Sequence, residues 1–305
     1  QDLFLVKYNS SGTKQWTRQL GTSKSDIAHG VAVHSNSSIY VTGETRGGLD
    51  NNTNFGDKDI FLIKYNSSGT RQWTQQLGTA SEDVGYGVAL NSSGDIFVTG
   101  TTYGALTGSN SGSSDFFLVK YNDDGVRQWI KQLGTASEDV AYGLTVGSSG
   151  NIYVTGYTKG SPWVLLPDNE SNQGNTDAFI VKHYDNSSQT PHWTILRGTA
   201  SAEVGRSVTV DASNNLYLTG DNSSTSGDYD AFLTRYSSSG NDPSNTPTWD
   251  RNMKTSSGEY GYGVVADSNN YIYAVGNTGG DLDNNTNSGL QDVFLFKYAD
   301  NGTKQ

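Results

Sequence analysis

Residues 59–102 read DIFLIKYNSSGTRQWTQQLGTASEDVGYGVALNSSGDIFVTGTT, and most of the 305-residue chain is this stretch written again with variation. It holds four short apolar runs, each bounded by Gly, Asn or Ser, which is the pattern of a four-stranded antiparallel meander. The opening run, D-x-F-L-x-K-Y or a close variant, starts at Asp2, Asp59, Asp115, Asp177, Asp230 and Asp292, a period of about 57 residues. One meander cannot bury both of its faces alone, so repeated copies must stack, and the closed solution for four-strand units is a β-propeller.

The chain divides into repeats 2–58, 59–114, 115–176, 177–229 and 230–291, with a partial sixth at 292–305. Within the first run, Phe61, Ile63 and Tyr65 alternate with Ile60 and Leu62, so both faces are apolar and the strand is expected between two sheets. An Asn-x-x-Gly turn follows at Asn9, Asn66 and Asn122, where Asn and Gly tolerate positive φ. It leads to a strand carrying Trp16, Trp73, Trp129, Trp193 or Trp249, and one Trp per repeat reads as packing between blades. Next come GVAV-like strands with the small residues Gly30, Gly87, Gly143, Ser207 and Gly263 aligned, as strands crowded together require. The IYVTG strand completes the set. With GVAV innermost and the Trp strand outermost, the expected fold is all-β: a propeller of five four-stranded antiparallel blades in a single domain, residues 1–305, closed by mixing N- and C-terminal strands.

Composition narrows the function. Hydrophobic content of 33%, with 37 Gly and 5 Pro, fits short strands joined by tight turns rather than a helical core. A net charge of -11 and a pI near 4.7 argue against nucleic acid and anionic membrane surfaces as partners. No apolar run approaches the roughly 20 residues of a membrane span, so no membrane insertion is expected. The absence of cysteine removes disulfides, thiolate metal sites and Cys nucleophiles.

The strings DxFLVKYNSSG, QWTxxLGT, GVAV and IYVTG together resemble the bacterial SBBP repeat, a family named for a seven-bladed propeller. The resemblance covers essentially the whole chain. It implies a propeller of exported or surface-attached microbial proteins without an established catalytic role, hence an extracellular or cell-surface location. Only five complete copies are present, so a seven-bladed ring cannot be built from this chain. The fourth copy also departs, with Arg206 and Ser207 where the others carry Tyr or His and Gly.

Three groups of residues are candidates for a site. The aligned acids Asp26, Asp83, Asp139, Glu203 and Glu259, with Tyr86, Tyr142 and Tyr262 three residues later in their repeats, would ring a channel mouth and hold a cation or a sugar. The alternative is that each acid caps the turn before its strand, or pairs with Lys64, Lys120 or Arg235. The loops with Asp50, Asn52, Asn54 and Asp59, and with Asp281, Asp283, Asn285, Asn287 and Asp292, alternate oxygen side chains around a Gly, so calcium is the one cofactor to expect. Trp163, in the apolar GSPWVLLP loop at 160–167, either packs on its own blade or meets a partner.

No nucleophile, zinc or phosphate-loop motif is present. The aligned acids sit in near-identical contexts, whereas a glycosidase needs two in different ones. The expected function is therefore a non-enzymatic structural or surface-assembly module whose partner is protein or copies of itself. A lectin-like or protein-binding adhesin that takes carbohydrate, and a glycosidase, are the alternatives.

Overall fold

The computed structural model describes residues 1–161, 172–186, 188, 190–223, 228–237 and 246–305. The contacts divide the chain into two compact units, Gln1–Gly134 and Thr135–Gln305. All regular structure among the described residues is antiparallel β, apart from one 3-10 turn at Leu49–Asn51.

The first unit holds three sheets. Strands β1 (Leu3–Tyr8) and β2 (Lys14–Leu20) form a hairpin. A four-stranded sheet runs β3 (Asp26–Val33), β4 (Ile39–Thr45), β5 (Asp59–Tyr65) and β6 (Arg71–Leu77) in that order. A second contains β7 (Asp83–Leu90), β8 (Ile96–Thr102), β9 (Asp115–Tyr121) and β10 (Arg127–Leu133). The second unit repeats the plan. One sheet has β11 (Asp139–Val146), β12 (Ile152–Thr158), β13 (Asp177–His183) and β14 (Trp193–Arg197), and the next has β15 (Glu203–Val210), β16 (Leu216–Ser223), β17 (Tyr229–Tyr236) and β18 (Trp249–Met253). The last has three strands, β19 (Glu259–Ala266), β20 (Ile272–Thr278) and β21 (Asp292–Tyr298).

Sequence repeat and sheet are therefore out of phase. The four strands of residues 59–102 do not form one sheet: β5 and β6 finish one, and β7 and β8 begin the next. Among the described residues there are six sheets instead of five, because β1 pairs with β2 while β21 pairs with β20, and the two copies of the strand do not share one sheet.

The local chemistry is that of the turns. In the first hairpin Gly12 takes φ +76 and donates to the Asn9 carbonyl, while the Asn9 side chain accepts from the backbone of Ser11 and Thr13. Register shifts at Lys7/Tyr8, next to the turn that closes through the left-handed Gly12. The middle strands carry the core. Ile60, Phe61, Leu62 and Ile63 of β5 are all buried, because one face packs on its own sheet's neighbour and the other on the next sheet.

Three of the Trp strands tie their sheet to the following turn. The Trp16 indole donates to Ser67 O at 3.3 Å, Trp73 to Asp123 O at 3.1 Å and Trp249 to Asp300 O at 2.8 Å. Gly69, Gly125 and Gly302 of those turns lie against the indole faces, where a Cβ would come within about 3 Å. Trp serves packing between sheets here. Backbone bonds also cross between sheets: Asp26 N donates to Gln1 O, Asp83 N to Lys58 O and Glu203 N to Thr176 O. The expected crowding at the small residues is present too, since a Cβ on Gly30 would lie 2.7 Å from Tyr86 O and one on Gly143 2.9 Å from Arg206 O.

Candidate binding site

The five aligned acids lie beneath turns, all with at most 1% of their surface exposed. Asp83 accepts from Thr79 N at 2.6 Å and Thr79 Oγ1 at 2.8 Å; Asp26, Asp139, Glu203 and Glu259 receive the same pair from Thr22, Thr135, Thr199 and Thr255. A second Thr, on the neighbouring strand, joins them: Thr45 donates to Asp26 at 2.5 Å and Thr278 to Glu259 at 2.7 Å. The structure thus gives each acid the task of fixing the G-T-x-x-x-acid turn. Burial pushes the Asp83 carboxyl above the ordinary carboxylate range, the Thr donors opposing it and nearby Asp59 adding to it.

The basic residues are not their partners. Lys64 pairs with Asp123 at 2.6 Å, Lys120 with Asp95 at 2.9 Å and Arg235 with Asp300 at 2.9 Å, all turn aspartates. The expected pairing with the aligned acids fails because the Lys side chains run out to the turn end of the strand.

Three residues further on lies a feature that alternation alone does not show. Register shifts between Ala28 and Gly30, Gly85 and Gly87, Ala141 and Gly143, Gly205 and Ser207, and Gly261 and Gly263. His29, Tyr86, Tyr142, Arg206 and Tyr262 are therefore the extra residues of five β-bulges, each on the first strand of its sheet. A bulge bends the strand and re-aims one side chain. The opposing residue is always Gly: a Cβ on Gly43, Gly100, Gly156, Gly220 or Gly276 would sit 1.8 or 1.9 Å from a carbonyl oxygen of the bulged strand. The Gly of IYVTG exists to admit the bulge. The sequence signal was there, in Gly85-Tyr86-Gly87 and Gly261-Tyr262-Gly263, since Gly flanking a residue inside a strand marks a bulge.

Within each unit the bulge residues meet. In the first, the His29 and Tyr86 rings lie 5.1 Å apart, and His29 approaches Glu44 at 3.8 Å. Lys58 bridges Glu44 at 3.5 Å and Glu82 at 3.4 Å. Burial raises the Glu44 pKa, but His29 and Lys58 outweigh it and the carboxyl ends below its ordinary range. In the second unit the Arg206 guanidinium lies 5.2 Å from the Tyr142 ring and 5.8 Å from the Tyr262 ring. It donates to Asp221 at 2.7 Å. The Asp221 side chain is 2% exposed, and its burial raises its pKa against the pull of Arg206; the guanidinium, in turn, loses by burial but gains more from Asp221 and ends above its usual value. Tyr260 stacks on Tyr262 at 6.4 Å and on Tyr229 at 5.3 Å, and Tyr262 is 51% exposed. Aromatic faces around a fixed cation form a contact surface.

The loop candidates are kept apart. Asp50 pairs with Arg71 at 2.5 Å, Asn52 donates to Leu49 O and Thr74 O, and Asp59 accepts from Phe55 N and Gln76 inside the sheet. Asp281 accepts from Asn287 N, Asp283 pairs with Lys304, Asn285 donates to Leu282 O, and Asp292 accepts from Ser288 N. Among the described residues no three His, Cys, Asp or Glu come together as a metal cage. Asn54 lies in the first loop, and Trp163 lies outside the described residues.

Residues 15–50, 72–106 and 128–162 each match the family described as the SBBP beta-propeller repeat. The regulatory protein FlaEY of Caulobacter vibrioides is 26% identical over 181 residues, covering 51% of this chain and 19% of its own length. A WD repeat-containing protein, L264 of Acanthamoeba polyphaga mimivirus, is 22% identical over 206 residues, covering 54% and 14%. The chain thus spans less than a fifth of either. Among solved structures, a protein of unknown function from Bacteroides caccae aligns with TM-score 0.55 and 10% identity over 99% of this chain and 92% of that one. A polysaccharide lyase of family PL25, an ulvan lyase, aligns with TM-score 0.52 and 11% identity over 90% and 68%. At such identities the likeness is one of fold.

Proposed function

Since the chain carries SBBP β-propeller repeats, we propose that it is a non-enzymatic extracellular module in which a row of bulge residues, carried on a repeated scaffold, contacts a carbohydrate or protein ligand. The observation that carries this reading is the bulge repeated five times, with Arg206 held between Tyr142 and Tyr262 over a buried Asp221. The scaffold is constant and the bulge residue changes, which is how a binding surface is varied without disturbing a core. The capping role of the aligned acids supports the absence of catalysis, because five buried carboxylates tied to the same turn have no division into acid and base.

The decisive experiment is a glycan array and a protein pull-down with the native chain and Arg206→Ala. Binding that falls at least about tenfold in the variant is expected, since a buried Asp221 is left unpaired beneath the contact surface. Hydrolysis of a polysaccharide that disappears in Asp83→Asn would instead make the chain a glycosidase.

A further inference from the structure

The bulges carry a second pattern, which appears when the copies are compared with one another. Each bulge lies beside the residue that follows the Gly of its IYVTG strand: His29 approaches Glu44 at 3.8 Å, the Tyr142 and Tyr157 rings are 6.0 Å apart, and Arg206 donates to Asp221 at 2.7 Å. The two copies whose bulge residue is basic are the two with an acid in that place. The three with Tyr at the bulge have Thr101, Tyr157 and Asn277 there, all uncharged. Basic and acidic residues thus enter together or not at all.

Nearby charges are spent in the same way. In the second unit Lys159 lies 2.9 Å from Glu138, to which the Tyr157 hydroxyl also donates. Arg206 turns both Nε and Nη2 to the Asp221 carboxylate, at 2.7 and 3.4 Å, so an anion at the guanidinium would compete with a buried carboxylate that already holds it. A cation would meet the Arg206 charge beside the Tyr142 and Tyr262 rings. The chain carries a net charge of -11, yet at Arg206 the rings and hydrogen-bonding groups stand with the charge cancelled. None of the bulge residues or their paired residues is aliphatic, unlike the apolar centre of a protein interface. Aromatic faces bordered by polar groups suit a sugar ring instead, which offers C–H bonds on its face and hydroxyls at its rim.

We propose that the surface made by Tyr142, Arg206 and Tyr262 takes an uncharged polysaccharide. Sugar C–H faces lie on the tyrosine rings, and sugar hydroxyls bond to the tyrosine hydroxyls and to the guanidinium N–H groups that do not face Asp221. Asp221 is a positioning residue: it fixes the guanidinium and, by cancelling its charge, sets the class of ligand that the surface accepts. This inference rests on the bulge-row reading and narrows its ligand from carbohydrate or protein to one class.

The test measures binding of the full chain to immobilised β-glucan, xylan and mannan, which are neutral, and to carboxymethylated and sulfated glucan, which are anionic. The native chain is expected to bind at least one neutral polymer with an affinity that changes less than about twofold between about 50 and about 500 mM salt, because no net charge is screened. Tyr142→Ala, which leaves the pair of Arg206 and Asp221 in place, should weaken that binding at least about tenfold. Asp221→Asn keeps the side chain's shape but frees the Arg206 charge. It is expected to raise binding to carboxymethylated glucan at least about tenfold at low salt and to lose the gain at high salt, which structural damage alone would not do. An Asp221→Asn chain that melts with the native one and gains no anionic binding overturns the inference. Native binding only to the anionic polymers, or only to protein in the pull-down, also overturns it while leaving the bulge row as a binding surface. Neutral binding that neither Arg206→Ala nor Tyr142→Ala weakens, or no binding to any polymer or protein, overturns both readings.

Discussion

Tyr262 and Gly276 belong to one bulge and answer to different forces. Tyr262 is half in solvent, so Tyr262→Ala is expected to change stability by less than about 1 kcal/mol. A Cβ on Gly276 would lie 1.9 Å from Tyr260 O, so Gly276→Ala must push the strands apart and is expected to cost about 1–3 kcal/mol or more. Urea denaturation of both variants checks the contrast, and equal losses would mean that the bulge does not depend on its glycine. Glu44 provides a test with pH. Its folded pKa is lowered, so its pairing with His29 and Lys58 stabilises the chain above the ordinary value of 4.5 and is lost as pH falls through the folded one. Glu44→Gln should therefore melt lower than the native chain at pH 7, by the equivalent of about 0.5–1 kcal/mol. The gap should close on acidification; a gap that widened would contradict the assignment.

Strands follow from the sequence far better than their company does. The runs D-x-F-L-x-K-Y, QWT, GVAV and IYVTG mark every strand because alternation and turn residues are local signals. Which four share a sheet depends on partners far along the chain, so residues 59–102 read as one meander although β6 and β7 lie in different sheets. The candidate site shows the same divide. Tyr86, Tyr142 and Tyr262 were visible as aligned residues, but Glu44, Lys58 and Asp221 come from neighbouring strands and carry no pattern of their own. Burial grades the Trp strands as well. Trp193 is 6% exposed, and Trp193→Ala is expected to cost about 3–5 kcal/mol. Trp16, half-buried on a two-stranded sheet, should cost clearly less, and chemical denaturation of the pair decides it.

At the scale of the molecule, Asp50, Asp59, Asp283 and Asp292 are already engaged with Arg71, Gln76, Lys304 and backbone amides. Chelation is accordingly expected to leave the melting temperature unchanged. A drop of more than about 2 °C would restore calcium to these loops. The offset between repeat and sheet has its own consequence. Every four-stranded sheet takes two strands from one sequence copy and two from the next, so adjacent copies are stitched like overlapping bricks. A segment excised in units starting at D-x-F would carry a half-sheet at each end. Cuts in the G-T turns, such as residues 21–25 or 78–82, would release whole sheets. The coding unit that can be shuffled and the physical unit that can be moved intact are different segments of the same chain.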